Sequence, residues 1–287
     1  EKKKIIHSNG EMGKRKKHRS LFSINRKRSF SDYQSDNKKV DKSSTNTSKH
    51  KKKKTRDSTL KGGAFRLLNE SYYTKSGEEM ARMMKTTEKY YDMYHEGFRA
   101  QKESWPFDPL DYCTKLILKL MSRRPCHIVD MGCGEAFLAQ QLASKTLKHA
   151  YHIDSYDLVA YNKYITPVDI TSTVPTPSNT ADLVLFCLAL MNTNWLLSIR
   201  ETYRMLKPSS YLLIAEIESR LVSRSSFKSF FCDTLRMELV HEHVCEGFFD
   251  IYQFRLPSSK MSSSEIDSIC NSSAHASLLK PCLYKKR

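Results

Sequence analysis

The stretch His127-Ile128-Val129-Asp130-Met131-Gly132-Cys133-Gly134-Glu135 limits what this chain can fold into more than any other. A short apolar run ends in an aspartate. Two glycines follow with one residue between them, and an acid opens a segment that reads as a helix from Glu135 to Ala143. A strand, tight turn and helix in such quick succession needs glycine, because a Cβ would hold the turn open and keep a ligand off the backbone. Gly-x-Gly alone says little. Between a strand and a helix, with acids downstream, it marks a nucleotide-type cofactor site.

The rest of the chain supplies the frame for that turn. Helical periodicity covers 64–73 and 76–104, with Tyr90, Tyr91, Tyr94 and Phe98 on one face. Asp108-Pro109 is an N-cap followed by proline at the first helical position of a helix reaching about Ser122. Strands are predicted at 127–131, near 150–156, just before Asp169, at 183–188, at 211–216, and near 238–245 and 248–256. The fourth, Leu183 to Leu188, is apolar throughout, as a central strand covered on both faces should be. Helices are predicted from Trp195 to the Lys207-Pro208 stop and over 225–236. Strands alternating with helices and closing in a β-rich end predict an α/β, mainly parallel sheet with an antiparallel edge hairpin. The organisation expected is a disordered basic tail (1–61), a helical N-terminal extension (62–125) and a Rossmann-like core (126–257). A flexible Ser-rich loop (258–277) and a C-terminal strand or tail (278–287) complete it.

Charge is distributed in the same pattern. Of a net charge of +17, residues 1–61 hold +15 and the other 226 residues only +2. A tail of that kind suits a polyanion, most simply nucleic acid, through release of counterions. Its clusters Lys14-Arg15-Lys16-Lys17 and Lys51-Lys52-Lys53-Lys54 resemble nuclear or nucleolar targeting signals. The eight cysteines form no CxxC pair and no paired framework, and read as reduced thiols, neither disulfides nor zinc ligands; no metal site is expected. No apolar run approaches the length of a membrane span.

Ligands of such sheets bind at the carboxyl ends of the strands where the strand order reverses. The pyrophosphate fingerprint is incomplete, since Phe137 stands where its third glycine belongs, which weighs against an oxidoreductase. Asp130 would also repel a pyrophosphate. A cofactor with a cationic centre and an amino-acid end fits better, and S-adenosylmethionine is that molecule. Its ribose hydroxyls want a carboxylate at the end of the second strand, because an ionised acid accepts from both. Asp157 is the candidate and Asp154 the alternative. Asp169 is placed to accept from the adenine amino group, backbone at Ile170 to meet the ring nitrogens, and Cys187 to close the pocket. His95, taken alone, reads as a packed helix histidine. After the fourth strand there is neither the Asn/Asp-Pro-Pro-Tyr motif of amino-group methylation nor the Pro-Cys pair of pyrimidine C5 methylation.

Several segments together resemble the ribosomal RNA-processing protein 8 family. They are Phe65-Arg66-Leu67-Leu68-Asn69-Glu70, Tyr94-His95-Glu96-Gly97-Phe98, Asp130-Met131-Gly132-Cys133-Gly134, Tyr156-Asp157-Leu158-Val159, Phe186-Cys187-Leu188-Ala189-Leu190-Met191, Leu206-Lys207-Pro208 and Lys280-Pro281-Cys282-Leu283-Tyr284. The resemblance implies a class I methyltransferase fold with a seven-stranded sheet. It implies methylation of N1 of an adenine in large-subunit ribosomal RNA, and work on pre-ribosomes in the nucleolus. It carries cofactor contacts onto His95, Gly132, Asp157, Asp169, Ile170 and Cys187, which moves His95 over the pocket. The loop Met191-Asn192-Thr193-Asn194 is expected to wall the target-base pocket. An alternative implied by the same family is a cofactor-binding scaffold in chromatin that silences ribosomal genes and binds modified histone tails. Three departures from the family stand out: Ile170 replaces Met, Asn192 replaces Gly, and Ser209-Ser210 replace Gly-Gly, so that the last turn is expected to use another geometry.

Overall fold

The computed structural model describes residues 62–87, 89–120, 125–144 and 151–282. The basic tail 1–61, with the targeting and RNA-contact expectations placed on it, lies outside the described residues, as do residues 283–287. Four helices come first: α1 (62–74), α2 (Gly77–Thr86), α3 (Lys89–Lys102) and α4 (Pro109–Leu120). The single periodic stretch predicted over 76–104 is thus two helices, parted at Thr87, whose backbone is extended at φ −146° and ψ 93°. Ser76 and Glu79 cap each other reciprocally at the start of α2. Asp108 caps α4 as its sequence implies, accepting from the Leu110 amide at 3.0 Å.

Seven strands form one sheet in the order β3-β2-β1-β4-β5-β7-β6. They are β1 (Cys126–Met131), β2 (Tyr151–Asp157), β3 (Ile165–Pro167), β4 (Ala181–Cys187), β5 (Leu206–Ile217), β6 (Glu238–Cys245) and β7 (Phe249–Arg255). The pairs among β1 to β5 are parallel, and β7 runs antiparallel to both β5 and β6. Successive side chains on a strand point to opposite faces, and the core follows that rule. Val184 and Phe186 of β4 join Val129, Met131, Leu212 and Ile214 on one face, while Leu183 and Leu185 join Ile128, Leu213 and Ala215 on the other. Helix α4 and helix α5 (Phe137–Ser144) cover the second face through Cys113, Ile117, Leu138 and Leu142. Helices α6 (Leu196–Met205), α7 (Arg224–Ser229) and α8 (Ser263–Asn271) cover the first, with Ile199, Tyr203, Phe227 and Ile266. Each such fully buried side chain contributes about 1.5–3 kcal/mol. That burial on both faces is why β4 tolerates an unbroken apolar sequence.

Three expectations need correction. The Ser-rich stretch 258–277 is not an open loop: it holds α8, started by a reciprocal cap between Ser262 and Glu265 and seated by buried Ile266 and Cys270. The helix after the glycine turn begins at Phe137, because Ala136 takes a left-handed φ of 54° and prolongs the turn. Ser209, where the family has glycine, keeps a left-handed φ of 62° at the bulge that shifts the β4–β5 register. The turn therefore retains a glycine-type geometry and bears the strain in a serine.

One buried ion pair ties α1 and the segment around Lys280 to the sheet. Arg220 donates to Glu216, 2.6 Å away at the end of β5, and both side chains are at most 2% exposed. Its guanidinium lies 4.6 Å from the centre of the Tyr73 ring of α1, and its Nε donates to Lys280 O at 3.1 Å. Asn69 donates to Cys282 O at 3.2 Å. The helical extension and the C-terminal segment therefore converge on one charge.

Candidate cofactor and substrate cavity

The strand order reverses between β1 and β4, since the chain passes from β1 outward to β2 and β3 before returning to β4 on the other side. At the carboxyl ends of these strands lies a cavity of about 430 Å³, as the rule for open α/β sheets requires. His95, Gly132, Asp157, Asp169, Ile170 and Cys187 all line it. So do Asp130, Met191 and Asn192. Asp154 does not, which leaves Asp157 as the carboxylate at the end of β2.

The glycine turn forms the cavity floor. Gly132 has φ 72°, and a Cβ there would lie 2.6 Å from the Ala189 side chain. The amides of Gly132 and Cys133 both donate to Tyr156 O, at 2.8 and 2.9 Å, which pins the turn to β2. Gly134, with φ 56°, donates from its amide to Asp157 Oδ2 at 2.8 Å, and its carbonyl accepts from the Tyr91 hydroxyl at 2.8 Å. Asp157 Oδ1 accepts from the Leu158 amide at 2.7 Å. Each carboxylate oxygen thus has one backbone partner and keeps a lone pair for a ligand.

Burial dominates the electrostatics. It pushes Asp157 up to about 6, against the opposing pull of the Gly134 and Leu158 amides. Asp130 is only 2% exposed, and burial followed by the nearby Asp157 charge raises it to about 7. Two crowded carboxylates facing one cavity favour a cationic occupant. His95 on α3 is driven down to about 4 by burial, with Arg99 adding to the effect. It is neutral near pH 7, and its ring centre lies 4.1 Å from that of Tyr91, tilted by 43°. Contact with Cys113 and burial hold the Cys187 thiol well above its ordinary range. It is a neutral wall, not a nucleophile.

The loop after β4 divides. Leu188 takes a left-handed φ of 60° and turns the chain, with its amide donating to Ala215 O at 2.9 Å. Met191 accepts at sulfur from the Tyr94 hydroxyl at 3.5 Å. Asn192, which stands where the family has glycine, is not left-handed, and its buried Nδ2 has no partner among the described residues. Thr193 and Asn194 do not line the cavity. Thr193 is exposed and donates from its amide to Lys75 O at 3.1 Å. Asn194 accepts from the Gly77 amide at 3.0 Å and donates to Thr171 Oγ1 at 3.2 Å. These two fasten α2 over the site. Gly77 permits the approach, since a Cβ there would sit 2.2 Å from Asp169 Oδ1. Asp169 is itself held by the Thr171 amide and hydroxyl at 2.9 and 2.8 Å.

The helical extension contributes more of the wall than the sequence discloses. Tyr72, Arg99, Lys102 and Trp105 line the cavity beside Tyr94 and Phe98 of the predicted aromatic face. Arg99 pairs with Glu135, and Lys102 pairs with Asp108 and lies 5.4 Å from the centre of the Phe137 ring. An aromatic stripe on α3 was the available signal, and the charged positions beside it carried none.

A seven-stranded sheet of this order, with its cavity above a Gly-x-Gly turn and an acid at the end of β2, defines the class I methyltransferase fold. A family described as "Hypothetical methyltransferase" matches residues 49–287. Ribosomal RNA-processing protein 8 of Dictyostelium discoideum is 36% identical over 234 residues, covering 79% of this chain and 58% of that protein. The 25S rRNA (adenine(645)-N(1))-methyltransferase of Saccharomyces cerevisiae is 33% identical, with 79% and 69% covered, and ribosomal RNA-processing protein 8 of Arabidopsis thaliana is 33% identical, with 79% and 75% covered. The chain belongs to the ribosomal RNA-processing protein 8 family. It spans 58% to 75% of the length of these three relatives.

Proposed function

We propose that this chain is an S-adenosylmethionine-dependent methyltransferase that modifies N1 of an adenine in large-subunit ribosomal RNA, acting on pre-ribosomes in the nucleolus. The observation that carries the reading is the convergence of Gly132, Asp130, Asp157 and Asp169 on one cavity at the reversal of the sheet. The named activity of the yeast relative supports the choice of adenine N1.

The residues present fit the cofactor. A Cβ at Gly132 would fill the cradle, and the buried Asp130 beside the half-buried Asp157 favours a positive partner. Asp157 would take the ribose hydroxyls, Asp169 and the Ile170 backbone the adenine, and Asp130 the ammonium of the amino-acid end. His95 would cover the group and Cys187 would close the pocket beside it. When bound, the sulfonium supplies an electrophilic methyl group. The protein's part is positioning. Adenine N1 is unprotonated near neutral pH and carries its own lone pair, so no strong base is required and catalysis rests on in-line placement at contact distance. The neutral His95 and the neutral Cys187 thiol agree with a wall that takes no proton. Met191, Asn192 and the aromatic face of α3 would receive a base withdrawn from its stack.

Calorimetric titration of S-adenosylmethionine into the full chain tests the site. Asp157→Ala removes a charged acceptor of two hydroxyls, a loss of roughly 1.5–3 kcal/mol, or about 10- to 150-fold in affinity. Gly132→Val should abolish binding. Undiminished affinity in both variants would place the cofactor outside this cavity, and no binding by the parent chain would point instead to a scaffold without a working cofactor site.

A further inference from the structure

A second constellation lies on β1 and β2, apart from the cavity. His127 on β1 and His152 on β2 are register partners, and Asp154 stands two residues beyond His152 on the same face. The two imidazole rings are 4.6 Å apart. His127 Nε2 is 2.8 Å from Asp154 Oδ2, and His152 Nε2 is 3.1 Å from Oδ1. None of the three lines the cavity.

His127 cannot satisfy its surroundings as a neutral ring. Its Nδ1 is 3.3 Å from Thr180 O while its Nε2 faces the carboxylate. A neutral imidazole has a single N–H, so either tautomer sets one lone pair against an oxygen. A second proton on the ring removes the conflict, and so does a cation between the three side chains. Nδ1–H then goes to the Thr180 carbonyl, both Nε2 lone pairs and a carboxylate oxygen turn to the metal, and Oδ2 keeps its bond from Thr176 Oγ1 at 2.6 Å. Metal-bound histidines characteristically give their other N–H to a carbonyl or carboxylate, and bound carboxylates are themselves hydrogen-bonded.

We propose that His127, His152 and Asp154 form a divalent-cation site with zinc as the fitting metal. Two imidazoles and a carboxylate form a donor set zinc takes, at about 2.0–2.2 Å per bond, with ligand atoms then about 3.3 Å apart. The three ligand atoms here lie within 4.8 Å of one another, so small side-chain rotations complete the shell. The fourth position faces water, because the His152 side chain is 71% exposed. The site staples β1 to β2 without touching the glycine turn that both strands hold, so its role is to stabilise the sheet. The sequence concealed it because its ligands sit on separate strands with no motif spacing, and the expectation of no metal rested on the cysteines.

Cobalt(II) and zinc(II) added to the purified full chain test this. Cobalt should give ligand-field bands of a nitrogen and oxygen site without the thiolate charge-transfer band that any of the eight cysteines would produce. Zinc should raise the melting temperature in a concentration-dependent way. His152→Ala, at an exposed position, should leave the fold intact, lower metal affinity at least tenfold and remove the thermal shift. Asp154→Asn should do the same. The proposal is overturned if the parent chain binds neither metal, if His152→Ala binds as well as the parent, or if only the thiolate band develops.

Discussion

Asp130 and Asp157 carry the titration behaviour of the site. Their folded values of about 7 and about 6 lie above those of an unfolded carboxylate. The folded chain therefore holds protons that the unfolded chain has released, and its stability falls as pH rises through about 4 to 7, by up to about 1.4 kcal/mol per pH unit for each group. A cationic cofactor reverses the balance because it prefers the ionised acids. We expect the melting temperature of the ligand-free chain to drop between about pH 4 and pH 7, and S-adenosylmethionine affinity to rise as pH passes through about 6 to 7. Asp130→Asn should flatten both curves, and parallel profiles for parent and variant would remove Asp130 from the site. The identity of these acids was readable because strand ends and a glycine turn fix where acids must stand. Their coupling was not, since it depends on how closely β1 and β2 bring the two carboxylates together. The division of Met191, Asn192, Thr193 and Asn194 between cavity and scaffold was equally hidden. It is decided by α2 docking on the loop through Gly77, a contact across 117 positions in the chain.

At the scale of elements, the strands were the most readable part because each is short, apolar and bounded by turn residues. Helix α8 was missed although Ser262 and Glu265 spell a capping box, because serine content suggests a loop while burial of Ile266 and Cys270 decides for a helix. The split between α2 and α3 was hidden by continuous apolar spacing. What secures α1 and the C-terminal segment is Arg220, and its removal should be costly. Arg220→Met leaves Glu216 charged and unpaired in the core, and breaking such a pair destabilises by about 3–5 kcal/mol. Denaturant unfolding of this variant should show that loss. A loss near zero would mean that Tyr73 and Lys280 are held by other contacts.

For the molecule as a whole, the basic charge is concentrated in residues 1–61, which lie outside the described residues. With +15 of its +17 charge in residues 1–61, RNA affinity of the full protein should fall steeply with salt. Deleting residues 1–61 should weaken RNA binding and flatten the salt dependence while leaving S-adenosylmethionine affinity unchanged; an undiminished slope would assign the phosphate contacts to the folded part. On the proposed reading, a reduced slope would assign the encounter with RNA to residues 1–61 and leave the chemistry to the remainder of the chain. The central claim is that this cavity delivers a methyl group to adenine N1. The most direct measurement is to incubate the full chain with large-subunit ribosomal RNA and isotopically labelled S-adenosylmethionine, then map the label by mass spectrometry of RNA fragments. We predict label on N1 of one adenine, lost with Asp157→Ala. Label on another atom, or an unlabelled RNA with cofactor bound to the protein, would contradict the account.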